Sequence, residues 1–327
     1  VRVSADRIAI VRALPGLGEM LCAIPALRAL RGTAPRAHIT LIGLDSARWI
    51  PRRFDTYVDE FVAFPGFPGM PHVDFDARAT LRFLAEMQER ELDLAIQLQG
   101  AGMASNAFTR LLGAGRTAGT VLPGTEPPDD FFVELRPAEA EPLRLVRVLE
   151  NLGARPTRTT DLEFIVTDVD EAEAAEHGLG SADYVSLHPG SWDTQHVAKV
   201  GDALAERGLR VVVCAQDEDA GAAVTAAMST EALDVTGALG LGATAALLRD
   251  ASIAICDDSV SQLAEAVGAT SVSVFPHDAD VARWGPLDRE RHRVVGGPDH
   301  GEEVTVADVV AAADTLLAER RPRESPA

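Results

Sequence analysis

The 327 residues carry 30 Lys and Arg against 50 Asp and Glu, a formal net charge of −20, with 46% hydrophobic content. That balance excludes a nucleic-acid partner, because phosphate backbones need a basic face. The length suits about two domains, each with its own core, and no apolar run approaches the ~18 residues of a membrane-spanning helix.

In chain order, Arg2, Asp6 and Arg7 interrupt any signal-peptide pattern at the start. Ile8–Val11 is short, apolar and β-branched, as a buried parallel strand should be. Gly16-Leu17-Gly18-Glu19 follows, and then Met20, Ala23, Ile24 and Leu27 fall at helical spacing, so a helix over Met20–Arg31 is expected. A glycine turn between strand and helix lets backbone approach a ligand closely, and Glu19 sits beside unpaired helix N–H groups. The plainer reading of Glu19 is that it only complements the helix dipole.

Strands are expected at His38–Leu44 and Leu94–Leu98, with a helix at Thr80–Glu91. The aromatic, Pro/Gly-rich loop Phe64–Pro71 reads equally as a linker or as an acceptor-side element. Pro123–Pro142 reads as irregular connection. Strands follow at Tyr184–Leu187, Leu209–Cys214, Ile253–Cys256 and Ser271–Phe275. Helices are expected at Val197–Arg207, Ala243–Asp250 and Ser261–Val267, and a final one at Val306–Glu319 before a tail with little to fold around. Alternating strands and helices of ~10 residues mean βαβ units and parallel sheets. Cys22, Cys214 and Cys256 have neither metal nor disulfide spacing and read as small core hydrophobes in a reducing, cytoplasmic setting. A nicotinamide-dependent dehydrogenase is excluded on glycine spacing, since Leu21 stands where the helix-packing glycine belongs.

Several blocks agree in order and spacing with one family. Arg12–Arg31 (RALPGLGEMLCAIPALRALR), Asp93–Gly119, Val185–Gly190 (VSLHPG), Asp234–Gly237, Leu247–Ser259 (LLRDASIAICDDS) and Arg283–Pro286 resemble glycosyltransferase family 9, the ADP-heptose:lipopolysaccharide heptosyltransferase-like enzymes. The resemblance covers nearly the whole chain. It implies an α/β fold of GT-B architecture, two Rossmann-like doubly wound domains facing a central cleft. The acceptor side is then expected at residues 1–170 and the donor side at 171–327. It implies an inverting, metal-independent sugar transfer from a nucleotide sugar, ADP-linked by preference, to a glycan or small-molecule hydroxyl, with no cofactor. Asp74-Phe75-Asp76 has the letters of a metal-diphosphate motif but lies in the acceptor half. Peripheral contact with a membrane surface is compatible with such an acceptor.

By the same resemblance, Glu19 stands where the family has its catalytic aspartate, with Gly16, Gly18, Gln99 and Gly100 on the acceptor side. Donor contacts fall to His188, Gly190, Ser191, Lys199, Glu218, Asp219, Thr236, Gly237, Asp258, Ser259 and Gln262. Glu218 and Asp219 are alternative partners for the ribose. His188 also reads as a hydrogen-bonded core histidine, Asp258 as a helix cap, and Trp284 as packing or ligand stacking.

The donor half departs from the family at three points. The basic residue after His-Pro-Gly is Ser191, and Asp193 replaces a proline. The Asp-Ser-Gly-x-x-His pattern has Val260 for glycine and Gln262 for histidine, and the loop Phe275–Asp280 is rewritten. Losing a cation where the leaving group forms costs transition-state stabilisation, unless Lys199 (the only lysine), His196 or Arg283 replaces it. The alternative is a non-catalytic GT-B relative that binds a sugar or a protein.

Overall fold

Each half of the chain builds a six-stranded, all-parallel sheet. The computed structural model describes residues 5–154, 160–179, 183–215, 217–300 and 303–319. It divides into two compact units, Val1–Leu162 and Glu163–Ala327.

The first sheet uses β1 (Arg7–Val11), β2 (His38–Gly43), β3 (Glu60–Ala63), β4 (Leu94–Gln97), β5 (Arg116–Val121) and β6 (Phe132–Glu134) in the order β3-β2-β1-β4-β5-β6. The second uses β7 (Tyr184–Leu187), β8 (Arg210–Val213), β9 (Ala232–Asp234), β10 (Ile253–Asp257), β11 (Ser271–Phe275) and β12 (His292–Gly296) in the order β12-β11-β10-β7-β8-β9. Counted from each unit's first strand, the two orders are identical. Both are doubly wound, and in each the strand order reverses beside the first strand, between β1 and β4 and between β7 and β10. Crevices at the carboxyl ends of strands at such a reversal are where this fold binds ligands.

The central strands are apolar because both faces are covered. Val185, Leu187, Val211, Val213, Ile253 and Ile255 are buried in one cluster of the second unit, under the helices Thr194–Ala205 and Val306–Glu319. In the first unit Phe108, fully buried, gathers Phe64, Phe67 and Phe83 with ring centroids 5.1, 5.4 and 6.0 Å away. The aromatic loop Phe64–Pro71 therefore spends Phe64, Phe67 and Met70 on packing, the linker side of its two readings. Asp76 caps the helix Ala77–Glu89, its carboxylate accepting from Ala79 N at 2.8 Å.

Two expectations are corrected. The helix over Met20–Arg31 is two helices, Leu17–Leu21 and Ile24–Thr33, because Pro25 cannot supply a hydrogen-bonding N–H and so begins a new first turn. The segment Pro123–Pro142 is not wholly irregular: it contains β6 and, at Glu141, the start of the helix Glu141–Asn151. Its charged composition hid a carboxylate that is buried rather than solvated. The final helix falls at Val306–Glu319 as expected, while the tail 320–327 lies outside the described residues. All three cysteines are buried. Burial pushes Cys214 up to about 11 and Cys256 well above the usual thiol range, so both stay protonated. Among the described residues no helix is long and apolar enough to cross a membrane.

Candidate functional site

In the first unit the β1/β4 reversal holds the glycine turn. Glu19 lies in the five-residue helix Leu17–Leu21, half-buried, with Gly16 capping that helix and Gly18 buried within it. The Glu19 carboxylate folds back over Gly16: a Cβ there would lie 1.6 Å from Glu19 Oε2. Gln99 uses its carboxamide to clamp the backbone of Ala13, with one N–H to spare. Ala13 N donates to Gln99 Oε1 at 2.5 Å, and Gln99 Nε2 donates to Ala13 O at 3.0 Å. Gly100 is open on the side where a Cβ would project.

Beneath this turn lies a buried ionic cluster that the sequence reading did not single out. Arg12 and Glu141 pair at 3.1 Å, both wholly buried, and Arg144 donates to Glu141 through Nε at 2.9 Å and Nη2 at 2.6 Å. Burial lowers the Arg12 pKa, with Glu141 opposing that shift and Arg144 adding to it. Only helical spacing over Glu141–Asn151 could have suggested that these charges face inward.

In the second unit the β7/β10 reversal opens two cavities on either side of Asp257. One, of about 330 Å³, is lined by His188 to Ser191, Asp217, Ser259 and neighbours at the ends of β7 and β8. The other, of about 400 Å³, lies toward β11 and β12, with Ser191, Trp192, Phe275, His277, the pair Gly296-Gly297 and Glu303 among its walls. Both have the size of small-ligand sites. Gly190, at φ +53°, touches Asp257 so closely that a Cβ would lie 2.1 Å from the carboxylate, so only glycine fits. Among the described residues neither N–H of Gly190 or Ser191 has a protein acceptor.

Asp257 is the residue that the sequence reading missed. It is 8% exposed and accepts from Ser259 Oγ at 2.8 Å and Val260 N at 3.2 Å. Burial raises its pKa, and neighbouring Asp258 adds to that. Asp258, half-buried, is raised for the same first reason. The six-residue pattern cannot hold both Val260 at its glycine and Gln262 at its histidine: counted back from Gln262 it puts its acid at Asp257 and its glycine position at Ser259, the count that would have found Asp257.

The other donor-side residues separate into groups. His188 is buried, its Nε2 2.7 Å from Ser186 Oγ, and burial depresses its pKa to about 4, so at neutral pH it is an uncharged core imidazole. Gln262 is buried and its amide donates to the Trp284 carbonyl, which ties the β10 and β11 loops together. Arg283 stacks on the Trp284 ring at 4.6 Å. Glu218 approaches Gly237, whose Cβ would lie 3.0 Å from Glu218 Oε1, and Thr236 Oγ1 accepts from Ala215 N at 3.0 Å. These three thus gather at the ends of β8 and β9, with Asp219 beside Glu218 and exposed. Asp217 caps the helix Glu218–Ala227, accepting from Asp219 N at 2.9 Å, and reaches the smaller cavity. Lys199 is exposed on the helix Thr194–Ala205 and is not part of either cavity wall.

Residues 170–309 match the model of Glycosyltransferase family 9 (heptosyltransferase). A search of curated proteins finds no match. Among solved structures, a glycosyl transferase family 9 protein from Veillonella parvula is similar at 20% identity, over 96% of this chain and 98% of that one, with TM-score 0.76. The E. coli heptosyltransferase WaaC is similar in its structure with ADP at 15% identity (96% and 99% covered, TM-score 0.68). Its structure with ADP-2-deoxy-2-fluoro heptose gives 16% identity (96% and 99%, TM-score 0.67). The resemblance read from the sequence is thus borne out: residues 170–309 carry the signature of glycosyltransferase family 9, within a chain that has the two-Rossmann GT-B fold class of these glycosyltransferases.

Proposed function

We propose that the protein transfers a sugar from a nucleotide-sugar donor, ADP-linked by preference, to a hydroxyl of a glycan or small-molecule acceptor, with inversion. The observation that carries this reading is the family match over residues 170–309, which spans the residues forming both cavities around Asp257. The structures of WaaC with ADP and with an ADP-linked fluoro-heptose favour an ADP donor.

In this reading Glu19 takes the acceptor proton as its oxygen attacks the anomeric carbon. The bond from that carbon to the diphosphate breaks in the same displacement, and the nucleoside diphosphate leaves. Charge on the leaving group meets the N–H groups of Gly190 and Ser191, and the candidates to replace the family's basic residue are Lys199, His196 and Arg283, none of which lines either cavity. Asp257 and Ser259 face the sugar end, and Glu218, beside Gly237, the ribose. Thermal melting with ADP-, GDP-, UDP- and dTDP-sugars tests the donor class, since binding to the native state raises the melting temperature. An ADP-sugar should raise it most, and no rise with any nucleotide sugar would contradict the reading.

One observation favours a non-catalytic sugar-binding relative instead. Asp257 lines both cavities, Asp217 the smaller and Glu303 the larger, and among the described residues neither wall has a lysine or arginine. That alternative predicts donor binding without nucleoside diphosphate release.

A further inference from the structure

We propose that Arg12 is a positioning residue for Glu19, an inference that rests on reading Glu19 as the base. Arg12 lies immediately after β1 and is wholly buried. Its Nε donates to the Glu19 carbonyl at 2.9 Å, and Nη2 donates to the same oxygen. Nη1 donates to the Leu98 carbonyl and, at 3.1 Å, to Glu141 Oε1. One guanidinium therefore ties the helix Leu17–Leu21, which follows β1, to the loop that follows β4, the two strands at the unit's reversal point.

The anchoring extends behind it. Arg144 fixes Glu141 and reaches Thr120 Oγ1 on β5 at 2.9 Å. In front, Gln99 clamps Ala13, and Gln97 Oε1 accepts from Gln99 N at 2.8 Å and Gly100 N at 3.0 Å. The turn carrying Glu19 is thus tied at Ala13 and at Glu19 itself. Two guanidinium groups around one carboxylate leave net positive charge in the interior, a costly way to gain stability alone. What an apolar side chain could not do is grip two carbonyls, one from the helix after β1 and one from the loop after β4. Lysine cannot reproduce it either, because an ammonium lacks the planar fork of donors.

The test uses Arg12→Lys and Arg12→Met in the full chain, with hydrogen exchange, ADP binding and release of ADP from ADP-heptose as readouts. We expect exchange of the 13–22 amides to quicken ten-fold or more, with amides in β2, β3 and the second unit unchanged. ADP release should fall ten-fold or more while the dissociation constant for ADP stays within two-fold. Arg12→Lys should retain more turnover than Arg12→Met. Unchanged exchange at 13–22 would overturn the proposal. So would uniformly faster exchange through the first unit, which marks a merely structural role. If Arg12→Met does not fold, the same readouts on Arg12→Lys decide. Glu19→Gln separates the two readings: full turnover in that variant removes the base assignment, whereas lost turnover with normal release in Arg12→Lys and Arg12→Met removes only the positioning role.

Discussion

The Glu19 carboxylate rests against the α-carbon of Gly16, where a Cβ would lie 1.6 Å from Oε2 and 2.9 Å from Oε1. No backbone atom stands among the nearest neighbours of that space, so a methyl group there displaces only the end of a flexible side chain. Gly16→Ala should therefore leave the melting temperature nearly unchanged while lowering turnover about ten-fold or more, since misplacing a reacting group by ~1 Å can cost 10²-fold. Parallel melting and transfer assays check this. Unchanged turnover would show that the present position of the carboxylate is not the working one.

Asp257 faces both cavities with a pKa raised by burial. A carboxyl whose folded pKa is raised contributes stability that is present below its unfolded value of 3.8 and lost as pH rises through the folded value. Asp257→Asn should therefore melt higher than wild type at pH 7. The gain should vanish near pH 3.5. The same variant should bind nucleotide sugar more weakly.

His188 predicts the opposite slope. Its pKa falls from 6.5 to about 4 in the folded state, so the stability it contributes is present above 6.5 and lost as pH drops through about 4. The melting temperature of His188→Gln, measured from pH 7 to 4, should fall less steeply than that of wild type. Parallel curves would show that protonation of His188 does not limit acid stability.

Period and strand composition made much of this legible from residues alone. Ile8–Val11, Ile253–Cys256 and Val306–Glu319 are apolar at the spacing of the elements they form, and the structure has them there. Charged burial was not legible. Arg12, Glu141 and Arg144 look like solvated residues until tertiary packing brings them together, because pairing depends on residues 129 positions apart. Asp257 and Asp258 are adjacent carboxylates that composition cannot rank. The motif count from Gln262 singles out Asp257, and the turn of the chain at the end of β10, with Gly190 pressed against it, makes it the inner one. Short strands such as β6 and β9, three residues each, carry too little pattern to stand out from loops.

The missing family cation gives a gain-of-function prediction. Ser191 lines both cavities, so Ser191→Arg should tighten nucleotide-sugar binding about ten-fold, the scale of a charge-assisted phosphate contact of ~1.5–3 kcal/mol. Lys199→Ala should weaken binding by a similar factor if that lysine serves the diphosphate. Isothermal titration of ADP-heptose into each variant checks both. Equal affinity in wild type and Lys199→Ala would transfer that role to Arg283.

The most direct test of sugar transfer with Glu19 as base compares wild type and Glu19→Gln in one assay, following ADP-heptose binding and ADP release with acceptor glycan present. Only the transition state needs the proton acceptor. The account predicts donor affinity within two-fold of wild type and ADP release reduced at least a hundred-fold in Glu19→Gln. Wild-type protein that binds ADP-heptose without releasing ADP, or a variant that keeps most of its turnover, would contradict it.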